Sequence, residues 1–214
     1  MSSPNHSERR GGMTPRLVVL HYTAMASFAE AKARLCDPAH EVSAHWLVDV
    51  DGRAEALVDE ARRAWHAGAG AWGGCQDVNS ASVGIEIQND GMSPFPARQM
   101  AGVERLLGDV LGRWGISPAG VIAHSDMAPL RKRDPGPRFD WRRLALGGLS
   151  VWPEDRVAKA QGFSSWAAEF GYRGPEEAVL GAFRLRFRPW GRGPVSAVDA
   201  GLMQDLAQRF PAVL

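Results

Sequence analysis

"RLVVLHYT" at residues 16–23 is a compact apolar run, rich in β-branched side chains, that closes on a histidine. It reads as a buried strand. Working outward, two further segments share its character. "SVGIEIQND" (82–90) alternates Val83, Ile85 and Ile87 against Gly84, Glu86 and Gln88, and "GVIAHS" (120–125) is a last short strand ending on a second histidine. "SAHWLVDVDGRAEALVD" (43–59) predicts a hairpin, with Asp51-Gly52 supplying the turn between two apolar runs. Between the strands lie helical patterns. Residues 27–35 carry a Ser27 N-cap with Phe28, Ala31 and Leu35 on one face, and residues 96–114 space Met100, Val103, Leu107 and Leu111 helically before Gly115. Strands mixed with helices in this way predict an α/β fold, a mixed β-sheet flanked by helices.

The texture changes after residue 150. Three helix-like segments follow, near 154–170, 175–186 and 195–210, separated by "GYRGP" and "RPWGRGP". They predict a small C-terminal three-helix domain. The expected organisation is a polar, flexible leader over 1–14, an α/β domain over 15–150 and a helical domain over 151–214.

Composition narrows the function classes. Apolar residues make up 45% of the 214, enough for a real core, and 25 Lys+Arg against 24 Asp+Glu leave a net charge of +1. That balance gives no electrostatic footprint for nucleic acid. Two cysteines, Cys36 and Cys75, make no disulfide framework and read as reduced structural thiols. The opening "MSSPNHSERRGGMTPR" carries no apolar stretch behind its arginines, and no later run approaches a membrane span. The expectation is a cytoplasmic protein.

Four residues stand out chemically. His21 and His124 each close a short apolar strand, and strand ends at one sheet edge are where rigid ligands converge. Asp134 follows beyond a proline-bearing loop that can fold the chain back. Two imidazoles and a carboxylate can make a zinc site with its fourth position open to water. The same residues also fit two hydrogen-bonded core histidines and a turn aspartate, and spacing leaves both readings open. Glu86 is the fourth. A carboxylate in mid-strand is costly to bury unless partnered or functional. Beside a metal-bound water it suits a general base; on an edge strand it is merely solvated. Lys132, two residues before Asp134, points the same way along an extended loop, where an ammonium can meet an oxyanion. With Arg131 and Arg133 it also fits a solvated basic turn. Asp126, Arg131 and Arg133 read as turn and surface charge, and His6 and His40 as loop residues.

Taken together, "VVLHYT", "VSAHWLVDVDG", "RRAWHAGAGAW", "NSASVGIEIQND" and "AHSDMAPLRKRDPGP", in that order, resemble the zinc-dependent N-acetylmuramoyl-L-alanine amidases of the type 2 amidase and peptidoglycan-recognition superfamily. The resemblance spans about residues 16–141 and makes 15–150 the catalytic domain. It implies Zn²⁺ held by His21, His124 and Asp134, with Glu86 as the catalytic glutamate and Lys132 as the transition-state lysine. It also implies a substrate groove lined by segments containing Trp65, His66, Ala67 and Asn79. His45 matches a family histidine, to which we assign a structural role. The Tyr that precedes it in some relatives is Ala44 here, which removes one catalytic helper without touching the metal set. The C-terminal helices resemble the peptidoglycan-binding module of some members. The implied partners are peptidoglycan fragments, ordinary or 1,6-anhydro muropeptides, met by a monomer. Because the two-domain layout is similar to exported members, the cell envelope is the alternative location. A non-catalytic muropeptide-recognition protein is the rival activity; superfamily members that only bind typically lack a zinc ligand.

Overall fold

Each apolar run becomes a strand because its backbone needs hydrogen-bond partners once its side chains leave water. The computed structural model describes residues 2–212. Its strands are β1 (His6–Ser7), β2 (Leu17–Tyr22), β3 (Trp46–Val48), β4 (Ala54–Ala56), β5 (Arg63–Ala64), β6 (Ser82–Ile87) and β7 (Val121–Ala123). The helices are α1 (Phe28–Cys36), α2 (Val78–Ala81), α3 (Ala97–Trp114), α4 (His124–Met127), α5 (Trp141–Leu146), α6 (Phe163–Phe170), α7 (Glu176–Phe187) and α8 (Ala197–Arg209). Five strands form one sheet in the order β4-β3-β6-β2-β7. Four of them run parallel, and β4 turns back against β3 through the Asp51-Gly52 hairpin. Gly52 takes a φ of +88° there, which a side chain would resist. The sheet is mixed and helix-flanked, as the alternation of patterns predicts.

The pleat sorts the side chains. Val18, Leu20, Val83, Ile85 and Ile87 face α3, which covers them with Met100, Val103, Leu107 and Val110. On the opposite face, Leu17, Val19 and Ile122 share a cluster with Trp72 and with Phe163, Phe170, Phe183 and Phe187 of the C-terminal helices. Ala31 and Leu35 of α1 cover Leu47 and Leu57 farther along. His21 and Glu86 lie in register on neighbouring strands. The carboxyl ends of the parallel strands are where α/β sheets place ligands.

Two expectations change. The leader is not free: β1 pairs with β5, Ser3 N–H donates to Leu57 O at 2.8 Å, and Asn5 Nδ2 donates to the carbonyls of Asp37 (2.9 Å) and Val42 (2.8 Å). The buried Arg9 guanidinium donates to the carbonyls of Glu60, Ser80 and Ser82. Polar side chains there satisfy backbone carbonyls at the margin of the fold, so polarity did not mean disorder. The helix expected from 154 begins only at Phe163. Upstream, Glu154 N–H bonds Asp205 Oδ2 at 2.9 Å and Ala158 N–H bonds Ala197 O at 3.0 Å. That stretch takes its partners from α8 and its approach instead of from its own helix.

The boundary near residue 150 is therefore a change of secondary structure within one continuous core. Trp72, from the α/β part, stacks edge-on against Phe170 and Tyr172 at 5.4 and 5.1 Å between ring centroids. Gly171 lies against its indole, where a Cβ would overlap the ring. Cys36 and Cys75 are not joined in a disulfide.

Candidate metal centre and active site

Three segments converge at the carboxyl edge of the sheet. His21 is the penultimate residue of β2, His124 opens α4 directly after β7, and Asp134 returns along the loop that follows. His21 Nδ1 and His124 Nδ1 are 2.9 Å apart, and each is 3.0 Å from Asp134 Oδ2. All three residues are buried.

The surrounding hydrogen bonds fix where the ring protons sit. His124 Nε2 faces Ala67 O at 2.9 Å, an atom that can only accept, so Nε2 carries the proton and Nδ1 is bare. A longer chain does the same for His21. Ser82 Oγ–H donates to Val78 O at 2.5 Å, leaving its lone pairs to accept from His66 Nε2 at 3.2 Å. His66 Nδ1 is then bare and accepts from His21 Nε2 at 3.0 Å. His21 Nδ1 is bare in turn. Two imidazole lone pairs and a carboxylate oxygen thus face one another at about hydrogen-bond distance with no proton assigned between them. Such an arrangement is repulsive unless a cation lies among the three. Two nitrogens and one oxygen form a donor set that suits zinc, which binds such atoms at about 2.0–2.2 Å, and the engaged far nitrogens are what ligating histidines require. The triad fits a divalent metal.

Electrostatics agree. Burial, reinforced by neighbouring His124 and opposed by Asp134, lowers the His21 pKa to about 4, so the ring is neutral and able to ligate at pH 7. Burial pushes the Asp134 carboxyl up, and a positive charge among the three, which a proton on either near imidazole nitrogen would supply in the absence of a metal, holds it well below the usual carboxylate range.

Glu86 stands beside this triangle. β6 lies between β3 and β2, so Glu86 is on an interior strand, in register with His21 on one side and Leu47 on the other. Its Oε2 is buried with no hydrogen-bond partner. Burial, with Asp134 adding and Lys132 opposing, raises its pKa well above the ordinary carboxylate value. Lys132, Arg133, Arg34, Tyr22 and Trp65 line a groove of about 490 Å³ that opens over Glu86 and the triad.

The "WHAG" segment divides. Trp65 and His66 line the groove, whereas Ala67 and Asn79 do not. Asn79 Oδ1 accepts from the N–H groups of His66 (3.0 Å) and Ala67 (2.8 Å), and Ala67 offers its carbonyl to His124. Both shape the site through backbone bonds, being too buried to touch a ligand. Gly84 makes room for His66, since a Cβ there would overlap its ring. His45 is structural: its Nδ1 accepts from Gly84 N–H at 2.8 Å and its Nε2 faces Arg62 O at 3.0 Å. Asp126 is not surface charge; it is fully buried against Arg186 at 2.5 Å. Arg131 folds back to donate to Ala67 O at 2.8 Å and to Ala69 O. No sequence signal near 126 or 131 announced either partner, because both partners lie far away in the chain.

Comparison with known proteins places this arrangement. A model of the N-acetylmuramoyl-L-alanine amidase family matches residues 11–137, and the chain belongs to that family. AmiD of Escherichia coli K12, an N-acetylmuramoyl-L-alanine amidase, is 33% identical over 211 residues, covering 91% of this chain and 66% of AmiD. AmpD of Enterobacter cloacae, a 1,6-anhydro-N-acetylmuramyl-L-alanine amidase, is 32% identical over 159 residues, 66% of this chain and 85% of AmpD. The solved E. coli AmiD complex with anhydro-N-acetylmuramic acid-L-Ala-D-gamma-Glu-L-Lys superposes with a TM-score of 0.84 at 30% identity, covering 96% of this chain and 98% of that one.

Proposed function

We propose that this protein hydrolyses the amide joining the lactyl carbonyl of N-acetylmuramic acid, ordinary or 1,6-anhydro, to L-alanine of the stem peptide. The observation that carries this reading is Glu86: a half-buried glutamate on an interior strand, in register with a metal-ligand histidine, lining the groove and with its Oε2 buried and unpartnered. A protein that only bound muropeptides would gain nothing from that arrangement.

His21, His124 and Asp134 would hold the zinc, which supplies a Lewis acid and lowers the pKa of a water from about 15.7 towards roughly 7. Glu86 takes the proton of the attacking water and delivers it to the leaving amine of L-alanine. Lys132 presents its ammonium to the oxyanion that forms on the carbonyl. Arg34 and Arg133 add positive charge along the groove, which suits the carboxylates of a stem peptide. Trp65 offers an aromatic wall for the sugar or peptide.

The test is digestion of purified anhydro-muropeptide beside intact peptidoglycan, with and without chelator, products being identified by mass. Zinc-dependent release of free stem peptide is expected from at least one substrate. Metal-loaded protein that releases none from either would establish the binding-only alternative. A cytoplasmic location is part of the proposal, and recovery of the native protein with the cell envelope on fractionation would overturn it.

A further inference from the structure

Asp126 lies two residues beyond the metal ligand His124, and its surroundings belong largely to the C-terminal helices. Its Oδ2 accepts from Ala123 N–H at 2.9 Å and from Arg186 NH1 at 2.5 Å, while its Oδ1 accepts from Tyr172 O–H at 2.7 Å. Arg186, on α7, is as buried as Asp126. Its second nitrogen donates to Val121 O at 2.9 Å and to Ser150 Oγ at 3.1 Å. The guanidinium carbon lies over the Trp141 ring, 4.2 Å from its centroid.

These bonds bracket one residue. Val121 and Ala123 precede His124, Asp126 follows it, and all three are gripped through a single buried carboxylate–guanidinium pair. The bracket extends to the other ligand segment, because Ser125 N–H donates to Asp134 O at 3.0 Å. Within its own helix His124 is tied by one bond, Ala128 N–H donating to its carbonyl at 3.0 Å. A ligand must be held within about 0.5 Å to keep a metal geometry, so the turn needs an external support.

We propose that Arg186 and Tyr172 are positioning residues for the metal ligand His124, acting through Asp126, and that the C-terminal helices are thereby part of the scaffold of the metal centre. An appended glycan-binding module would meet the α/β part through surface contacts. This one inserts a buried cation beneath the ligand turn. The inference rests on the metal site of His21, His124 and Asp134 and is read by metal binding without turnover. Wild-type protein that binds zinc but hydrolyses nothing would defeat the functional reading and leave this one standing.

The experiment uses the full chain as Tyr172→Phe, Arg186→Lys, Arg186→Met and the double variant Asp126→Asn/Arg186→Met, which avoids leaving one charge buried alone. Zinc affinity is measured by competition with a chromophoric chelator, and ligand geometry by the visible absorption of the Co²⁺ form. Zinc affinity should fall about 10–100-fold in the double variant, the range for partners that orient metal ligands. The Co²⁺ bands should shift, Lys should recover part of the loss seen with Met, and Tyr172→Phe should show the same changes more weakly. kcat should fall while KM stays near wild type, since none of these residues lines the groove. Folded variants with wild-type zinc affinity and an unaltered Co²⁺ spectrum would overturn the proposal and leave the pair a purely structural role. Should the Arg186 variants fail to fold, Tyr172→Phe, which removes a single hydroxyl, decides by the same two readouts.

Discussion

Asp126 and Asp134 sit on either side of one short loop, both buried, and they solve the same electrostatic problem differently. Asp126 meets a guanidinium from α7, a tyrosine hydroxyl and a backbone N–H, so its charge is balanced within the chain. Asp134 faces two imidazoles whose near nitrogens carry no proton, so the chain supplies no permanent positive charge against it. A closed cluster of the first kind builds structure. An open one of the second kind is completed by something from outside, and three donor atoms of this chemistry define that as a divalent metal.

The largest effects are expected at the open cluster. His124→Ala should lose both metal and activity, with zinc near zero by elemental analysis and amide hydrolysis at background. Stoichiometric zinc in that variant would mean that the triangle is not the site. Glu86→Ala separates chemistry from binding: zinc content should stay at wild type while kcat falls about 10²–10⁴-fold, the usual weight of a general acid–base. A fully active Glu86→Ala enzyme would end the proposed mechanism. Lys132→Ala should lower kcat by about 10²–10³ with zinc retained, as expected for one oxyanion donor. Loss of metal instead would move Lys132 from the reaction to the support of the site.

Two smaller effects sharpen the contrast through stability. Burial lowers the pKa of His45, as it does that of His21, to about 4 from an ordinary 6.5. Between those values the unfolded chain takes up protons that the folded chain refuses. Stability is therefore full above about pH 6.5 and declines as the pH falls towards 4, by about 3 kcal/mol for one such histidine. Melting the metal-free protein across that range should show the decline, and a flat profile would contradict the neutral, buried rings. Adding zinc at about 100 times its Kd should then stabilise the wild type by about 2.7 kcal/mol and leave His124→Ala unmoved. Equal shifts in the two proteins would point to binding elsewhere.

Much of this was legible in the chain because local patterns carry it. Period-two alternation put Glu86 on the face opposite Ile85 and Ile87, and the apolar run ending in His21 marked a buried strand. Helical spacing stopped at Gly115, which takes a left-handed cap with its N–H on Leu111 O. The misreadings share a different origin. Ser3, Asn5 and Arg9 looked like a loose polar leader because their acceptors are carbonyls some thirty to seventy residues away. Asp126 looked exposed because Arg186 lies 60 residues on.

By itself, then, the sequence determined the mixed sheet, its flanking helices, the family and the identity of the metal ligands, all of which rest on short-range periodicity or on ordered motifs. Only the tertiary structure decided how the ligands' protons are arranged, through Ser82, His66 and the Ala67 carbonyl. It alone decided that the C-terminal helices share a core with the sheet and grip the His124 turn. The physical reason is common to both. A hydrogen bond or a buried ion pair depends on distance in space and on the absence of water, and neither is written in the spacing of residues along a chain.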